Sequence, residues 1–186
     1  MTRQFGSPTP ASEIKLPDEF RIVVARRLDA LPTLQIHRQV LAEEKWFFIR
    51  QEELADSMED RERMVRAYAE SDNSVFLVAK RGRQVVGFVF VEGGQFQRNR
   101  HSGKLQVMVA EFSRGLGIGT ALVQHALSWG AENAIITKVG LNVFADNERA
   151  TKVYRELGFV EEGRLVGEYK DADGTLRDGV LMYRKV

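Results

Sequence analysis

The stretch VMVAEFSRGLGIGT, Val107 to Thr120, decides how this chain is read. An apolar strand-like run, Val107-Met108-Val109, leads into a short polar loop. Arg114-Gly115-Leu116-Gly117-Ile118-Gly119 follows, and an amphipathic helical pattern begins there. At a strand-to-helix junction the first N–H groups of the helix have no partners inside it, and they bind anions. The stretch therefore predicts a phosphate-bearing ligand.

The glycine spacing narrows the ligand. A Walker A loop needs Lys and then Ser or Thr after its last glycine; here Gly119 is followed by Thr120 and Ala121. A dinucleotide fingerprint has the form G-x-G-x-x-G, whereas Gly115, Gly117 and Gly119 alternate, so the third glycine falls one position early. A glycine-rich turn that binds nothing remains the competing reading of these six residues taken alone.

Composition excludes several other chemistries. The chain has 186 residues, room for one domain with a sizeable core. A formal net charge of +1 gives no global electrostatic case for nucleic acid or a membrane surface. The longest apolar run, Val85–Val91, is far shorter than a membrane span. The first residues, MTRQFGSPTPASEIKLPDEF, lack the apolar core of a signal peptide and hold Pro8, Pro10 and Pro17. They read as a flexible tail over 1–19, with a cytoplasmic protein expected. With no cysteine, disulfides, thiolate metal sites and a cysteine nucleophile are excluded. The histidines, His37, His101 and His125, form no H-E-x-x-H, so no catalytic metal is expected.

Working outward from the loop, Lys104–Val109 reads as the strand before it, and Ile118, Leu122, Val123, Ala126, Leu127 and Trp129 mark one broad helix face after it. His125 reads as a surface or packing residue of that helix. Upstream, Phe20–Leu28 reads as a strand, and Pro32 opens a helix with Leu34, Val40 and Leu41 inward. A second helix is expected over Met58–Ala69, with Asp56 and Glu59 at capping-box spacing, Met58, Val65, Tyr68 and Ala69 inward, and its charges solvated. Ser74–Lys80 and Gln84–Glu92 form a hairpin across Arg81-Gly82-Arg83. Downstream come a strand over Lys138–Phe144 and capping residues at Ala145-Asp146-Asn147. A helix follows with Ala150, Val153, Tyr154 and Leu157 on one stripe, closed by Gly158. Strands over Phe159–Tyr169 and Leu176–Arg184 flank Asp171-Ala172-Asp173-Gly174. The order β-α-α-β-β-β-α-β-α-β-β predicts an α/β (α+β) fold: a mixed, mostly antiparallel sheet of about seven strands with helices on both faces.

Two motifs in this order resemble the GCN5-related N-acetyltransferase (GNAT) superfamily. The loop fits the pattern Gln/Arg-x-x-Gly-x-Gly/Ala at Arg114–Gly119, with Glu111 where the family usually has Pro. The segment Asn147-Glu148-Arg149-Ala150-Thr151-Lys152-Val153-Tyr154-Arg155-Glu156-Leu157-Gly158-Phe159 fits Asn-x-x-Ala-x-x-Leu/Val-Tyr-x-x-x-Gly-Phe. The resemblance covers residues 20–186 as a single domain, and the C-terminal segment looks like the ribosomal-protein and amino-acid N-acetyltransferase branches.

The resemblance implies acetyl-coenzyme A as co-substrate, without a metal. It places the pyrophosphate on Arg114, Gly115, Leu116, Gly117, Ile118, Gly119 and Thr120, and the pantetheine arm along Val107, Met108 and Val109. Asn147 matches the position that hydrogen-bonds this arm and is equally natural as a helix N-cap. Ala150 belongs to the same segment. Tyr154 matches the general acid: a phenol with pKa about 10 can return a proton to a leaving thiolate. Where some relatives carry a basic Glu, this chain has Asn142, a substrate or cofactor contact. Glu92, His101 and Glu111 are candidate bases, each with an ordinary surface reading, and none is assigned.

The implied reaction is acetyl transfer to a primary amine, of a small molecule or a protein N-terminus, by direct attack in a ternary complex. The acceptor site implied by this fold contains Trp46, Phe47, Phe48, Phe96, Tyr169 and Asp171. The alternative is a non-catalytic acyl-coenzyme A binding or sensing module. Nucleic-acid binding through Arg98, Arg100 and His101 is disfavoured, since few cations in one loop are commonly just solvated. No membrane partner is expected, and a homodimer is compatible with the pattern.

Overall fold

The computed structural model describes residues 19–54 and 56–186. The tail expected over 1–19 lies outside the described residues, Glu19 apart. The strands are β1 (Phe20–Val24), β2 (Val75–Arg81), β3 (Gln84–Gly93), β4 (Ser102–Val109), β5 (Lys138–Phe144), β6 (Val160–Lys170) and β7 (Leu176–Lys185). The helices are α1 (Ala30–Leu41), α2 (Met58–Glu70), α3 (Ile118–Glu132) and α4 (Glu148–Glu156). The strands form one sheet in the order β1-β2-β3-β4-β5-β7-β6. Every neighbouring pair is antiparallel except β4 with β5.

The middle of the sheet is apolar on both faces because helices cover both. Val86, Val89 and Val91 of β3 pack with Leu122, Val123 and Ala126 of α3. Val85 and Phe88 pack on the other face with Ile36 and Val40 of α1 and Val65 of α2. Phe76 and Phe88 are fully buried with ring centroids 5.5 Å apart, and each contributes about 2–3 kcal/mol by burial. α4 sits on the α3 face, where Ala150, Val153 and Tyr154 are half-buried beside buried Leu157. Among the described residues no helix is long and apolar enough to cross a membrane.

Local differences from the sequence expectations have physical causes. β1 ends at Val24 rather than Leu28, because Arg27–Asp29 tightens into a 3-10 turn that feeds α1 at Ala30, two residues before Pro32. The capping box of α2 belongs to Ser57 and Asp60, not Asp56 and Glu59: the Asp60 N–H donates to Ser57 Oγ at 3.1 Å, and the Ser57 N–H to Asp60 Oδ2 at 3.0 Å. Met58 and Ala69 are exposed. Not all α2 charges are solvated. Arg61 is 1 % exposed, its Nε donating to Asp56 Oδ2 at 2.7 Å and its Nη2 meeting His37 Nδ1 at 2.6 Å. Asp56 is thus the anchor of a buried cation rather than a cap, and the network ties α2 to α1.

Burial, with Arg61 adding to it, lowers the His37 imidazole from 6.5 to about 4. Between those values the unfolded chain carries a proton on His37 that the folded chain does not, so stability falls as pH drops through that window. We expect His37→Gln to flatten the pH dependence of urea-unfolding free energy between pH 6.5 and 4.5. An unchanged slope would assign the acid sensitivity elsewhere.

Candidate functional site

The parallel pair β4–β5 is short. Ser102, Gly103 and Lys104 pair with Lys138, Val139 and Gly140, and the pairing then stops. β4 continues to Val109 on β3, and β5 continues to Phe144 on β7. The strands therefore diverge, and the β5-facing edge of Leu105–Val109 has no strand partner. A cavity of about 950 Å³ opens in the gap.

At the wide end of the gap lies the glycine loop. Gly115 and Gly117 have φ of 79° and 77°, a left-handed conformation that costs other residues roughly 1–2 kcal/mol. Gly117 is the N-cap of α3, and its carbonyl takes the first helical hydrogen bond from Ala121 N at 3.0 Å. The N–H groups of Ile118, Gly119 and Thr120 are thus left without helical partners. Ile118 is 1 % exposed and pins this helix start into the core. Ser113, just before the loop, lines the cavity with a buried Oγ that has no hydrogen-bond partner. Open N–H groups, an orphaned hydroxyl and a free strand edge fit a ligand that carries phosphate at one end and amides along its length.

The structure brings most sequence-predicted residues to this cavity. Val107, Met108 and Val109 line it, as do Arg114, Gly115, Gly117, Ile118, Gly119 and Thr120. Leu116 does not; its side chain is 47 % exposed and turns outward. Asn142, Asn147, Ala150 and Tyr154 line the opposite wall. Asn147 Oδ1 caps α4 by accepting from Ala150 N at 3.1 Å. Tyr154 packs edge-on against Phe159, centroids 5.7 Å apart, and burial pushes its phenol up to about 12. Its hydroxyl makes no hydrogen bond to the described residues.

On the α1 side, Trp46, Phe47 and Phe48 line the cavity. Phe48 stacks on Tyr169 at 4.2 Å, and Tyr169 Oη accepts from Asn142 Nδ2 at 2.6 Å. Tyr169 and Asp171 stand behind this wall, and Phe96 is 75 % exposed, away from it. Of the candidate bases only Glu92 lines the cavity; His101 and Glu111 do not. Arg177, Glu43, Gln106 and Arg149 carried no sequence signal. Arg177 holds the aromatic wall: its guanidinium lies 3.8 Å from the Phe144 centroid and 5.2 Å from that of Trp46, donates to the Lys45 carbonyl at 3.0 Å and pairs with Asp146 at 2.7 Å. Glu43, Gln106 and Arg149 line the cavity from α1's end, β4 and α4. Arg100, placed among possible nucleic-acid contacts, is instead bound by Asp72 at 2.7 Å.

A mostly antiparallel sheet that parts at its one parallel pair, with an anion-binding helix start in the gap, defines an acyl-transfer scaffold of the kind the sequence resembles. The acetyltransferase (GNAT) family profile matches residues 39–159, and the chain belongs to that family. It is an acyltransferase of the N-acetyltransferase kind. A spermidine N(1)-acetyltransferase of Vibrio cholerae is 30% identical over 141 residues, 74% of this chain and 76% of that protein. The crystal structure of a GNAT acetyltransferase from Streptococcus pneumoniae superposes with a TM-score of 0.84 at 26% identity, covering 90% of this chain and 99% of that one. A ribosomal-protein-alanine N-acetyltransferase from Brucella melitensis gives 0.78 at 28% identity, covering 89% and 99%.

The glycines separate fold from ligand. Gly117→Ala forces a left-handed alanine, and we expect a loss of about 1 kcal/mol in chemical unfolding. A Cβ at Gly119 meets only Val109 Cγ2, at 3.5 Å, an ordinary contact. Gly119→Ala should leave stability unchanged while weakening any ligand that approaches the loop backbone. Equal destabilisation by both would contradict this division.

Proposed function

We propose that this enzyme transfers the acetyl group of acetyl-coenzyme A to a primary amine by direct attack in a ternary complex, through one GNAT domain over residues 20–186. The observation that carries the donor is the free β4 edge ending beside an uncapped helix start. When bound, acetyl-coenzyme A supplies an acetyl thioester whose thiol leaves as the amine takes the acyl group. The N–H groups of Ile118, Gly119 and Thr120 bind the pyrophosphate, with Ser113 Oγ and the Arg114 charge close by. Val107–Val109 would hold the pantetheine amides as a strand partner, and the amide of Asn147 would meet the same arm.

Tyr154 holds a proton at Oη for the departing sulfur. With its pKa pushed up to about 12 by burial, the phenol stays protonated throughout the working range, which suits an acid and not a base. Tyr154→Phe should lower the turnover rate on the order of 100-fold while coenzyme A binding is retained. Wild-type turnover in that variant would remove Tyr154 from the chemistry.

Glu92 is the proton acceptor on the other side. Of the carboxylates lining the cavity, Glu43 sits at the glycine loop against Arg114 and Glu162 is paired with Lys138, while Glu92 carries no ion pair with the described residues. Its neighbour across the strands is Lys104, which in turn pairs with Gly140, two residues before Asn142 on β5. A protonated amine must lose a proton before it attacks. Glu92→Gln should therefore cost roughly tenfold or more at pH 7 and recover toward wild type as pH approaches the acceptor's own pKa. A pH-independent loss would make Glu92 a binding residue instead.

The acceptor is an amine, and the relatives point to more than one class: spermidine in one name, ribosomal-protein alanine in another. A panel of polyamines, amino acids and N-terminal peptides assayed by thiol release decides among them. Coenzyme A binding without transfer to any member would favour the sensing alternative.

A further inference from the structure

The loop that opens at Arg114 and the segment that follows α1 meet in one ion pair. Arg114 Nη1 donates to Glu43 Oε2 at 2.8 Å, and Nη2 donates to Oε1 at 2.5 Å. The same guanidinium donates from Nε to the Val109 carbonyl at 3.2 Å. Hydrogen bonding to Glu43 is the largest cause of the raised Arg114 pKa. Glu43 is remote from the loop in sequence, yet it lines the same cavity, a few residues before Trp46 and Phe47.

The pair is firm in geometry and modest in strength. Its side chains keep 35% and 29% exposure, and a pair so exposed shifts an equilibrium by roughly fivefold at most. A pyrophosphate at the start of α3 offers the guanidinium more charge than one carboxylate does, with the helix N–H groups already fixing it in place.

We propose that Glu43 is a positioning residue for the donor. It holds Arg114 across the loop until the donor pyrophosphate takes the guanidinium over. It is then left as an unpaired carboxylate on the acceptor side of the cavity. Donor binding thereby changes the charge that faces an incoming amine: Arg114 and Glu43 neutralise each other beforehand, and afterwards Arg114 neutralises phosphate while Glu43 is free to attract an ammonium. The proposal rests on the donor reading given above.

Titration calorimetry with coenzyme A at low salt tests it in wild type, Glu43→Gln, Arg114→Ala and the double variant. Breaking the Glu43–Arg114 pair is part of the binding free energy only while both residues are present. Glu43→Gln should therefore bind coenzyme A roughly twofold to fivefold more tightly. The gain should vanish in the Arg114→Ala background. Weaker binding by Glu43→Gln would mean that carboxylate and phosphate share Arg114 at once, and unchanged binding would mean no competition; either overturns the proposal. A gain that persists with Arg114→Ala would be simple charge repulsion and overturns it as well. Failure of the wild type itself to bind coenzyme A would instead overturn the donor reading, and this proposal with it. Glu43 lies on an exposed turn, so circular dichroism should show all four proteins folded. Glu43→Ala repeats the measurement without the amide.

Discussion

Beyond Lys104 and Gly140, β4 and β5 stop sharing hydrogen bonds, and the molecule is arranged around that departure. Each strand keeps its outer neighbour, β3 for β4 and β7 for β5, so neither becomes irregular as it leaves. Their apolar residues still meet one core: Leu105 from β4 and Leu141 and Val143 from β5 pack in the α3-side cluster, with Val107 and Val109 against it. The split therefore costs backbone pairing without opening the core. Backbone groups left on an inner edge need partners from solvent or a ligand. That need suits the gap to a ligand rather than marking it as a packing defect.

The two sides of the gap are built by different means. The donor side is mostly main chain: a free edge, two left-handed glycines and the first N–H groups of α3. The acceptor side is side chains brought from far apart in sequence. Arg177 of β7 reaches Trp46, the Lys45 carbonyl, Phe144 and Asp146, and so fastens the segment after α1 to the end of β5. Asn142 and Tyr169 add a second tie through Phe48. Glu43 joins the two halves through Arg114.

This difference explains what could be read from the sequence. Main-chain sites depend on local residue types, so Gly115 and Gly117 stood out by spacing, as did nearly every strand and helix with a clear apolar period, while Asn147 and Tyr154 stood out only through the segment that resembles the family motif. Leu116 was included because it sits between the glycines, yet Gly115 and Gly117 turn its side chain away from the cavity. Contacts between distant segments leave no local trace. Nothing in the spacing of Glu43 or Arg177 announces a distant partner, such as the one 71 residues away that Glu43 has in Arg114. The α2 charges misled for a related reason. Arg61 lies in a run of charges that reads as a solvated face, but Asp56 and His37 supply partners that let a guanidinium be buried.

The same reasoning says where acceptor choice resides. A donor held through backbone groups would be held alike by any sequence that keeps the glycines and the free edge, so under the proposed function the backbone at the α3 start carries no acceptor information. Under the proposed function, selectivity would come from the segment of Glu43 to Phe48, from Glu92, and from the hairpin residues Tyr169 and Arg177 that brace that segment. Arg177 is held on several sides, its side chain only 12% exposed between aromatic rings and carboxylates. Its contacts fix Trp46 and Phe144, while Glu43 and Phe47 lie on the cavity side of that clamp. A substitution at Glu43 or Phe47 therefore changes what the cavity presents to an amine, whereas one at Arg177 releases the whole wall. Relatives whose names carry different acceptors can share the fold closely because the wall is made of side chains, and these can vary without disturbing the strand divergence.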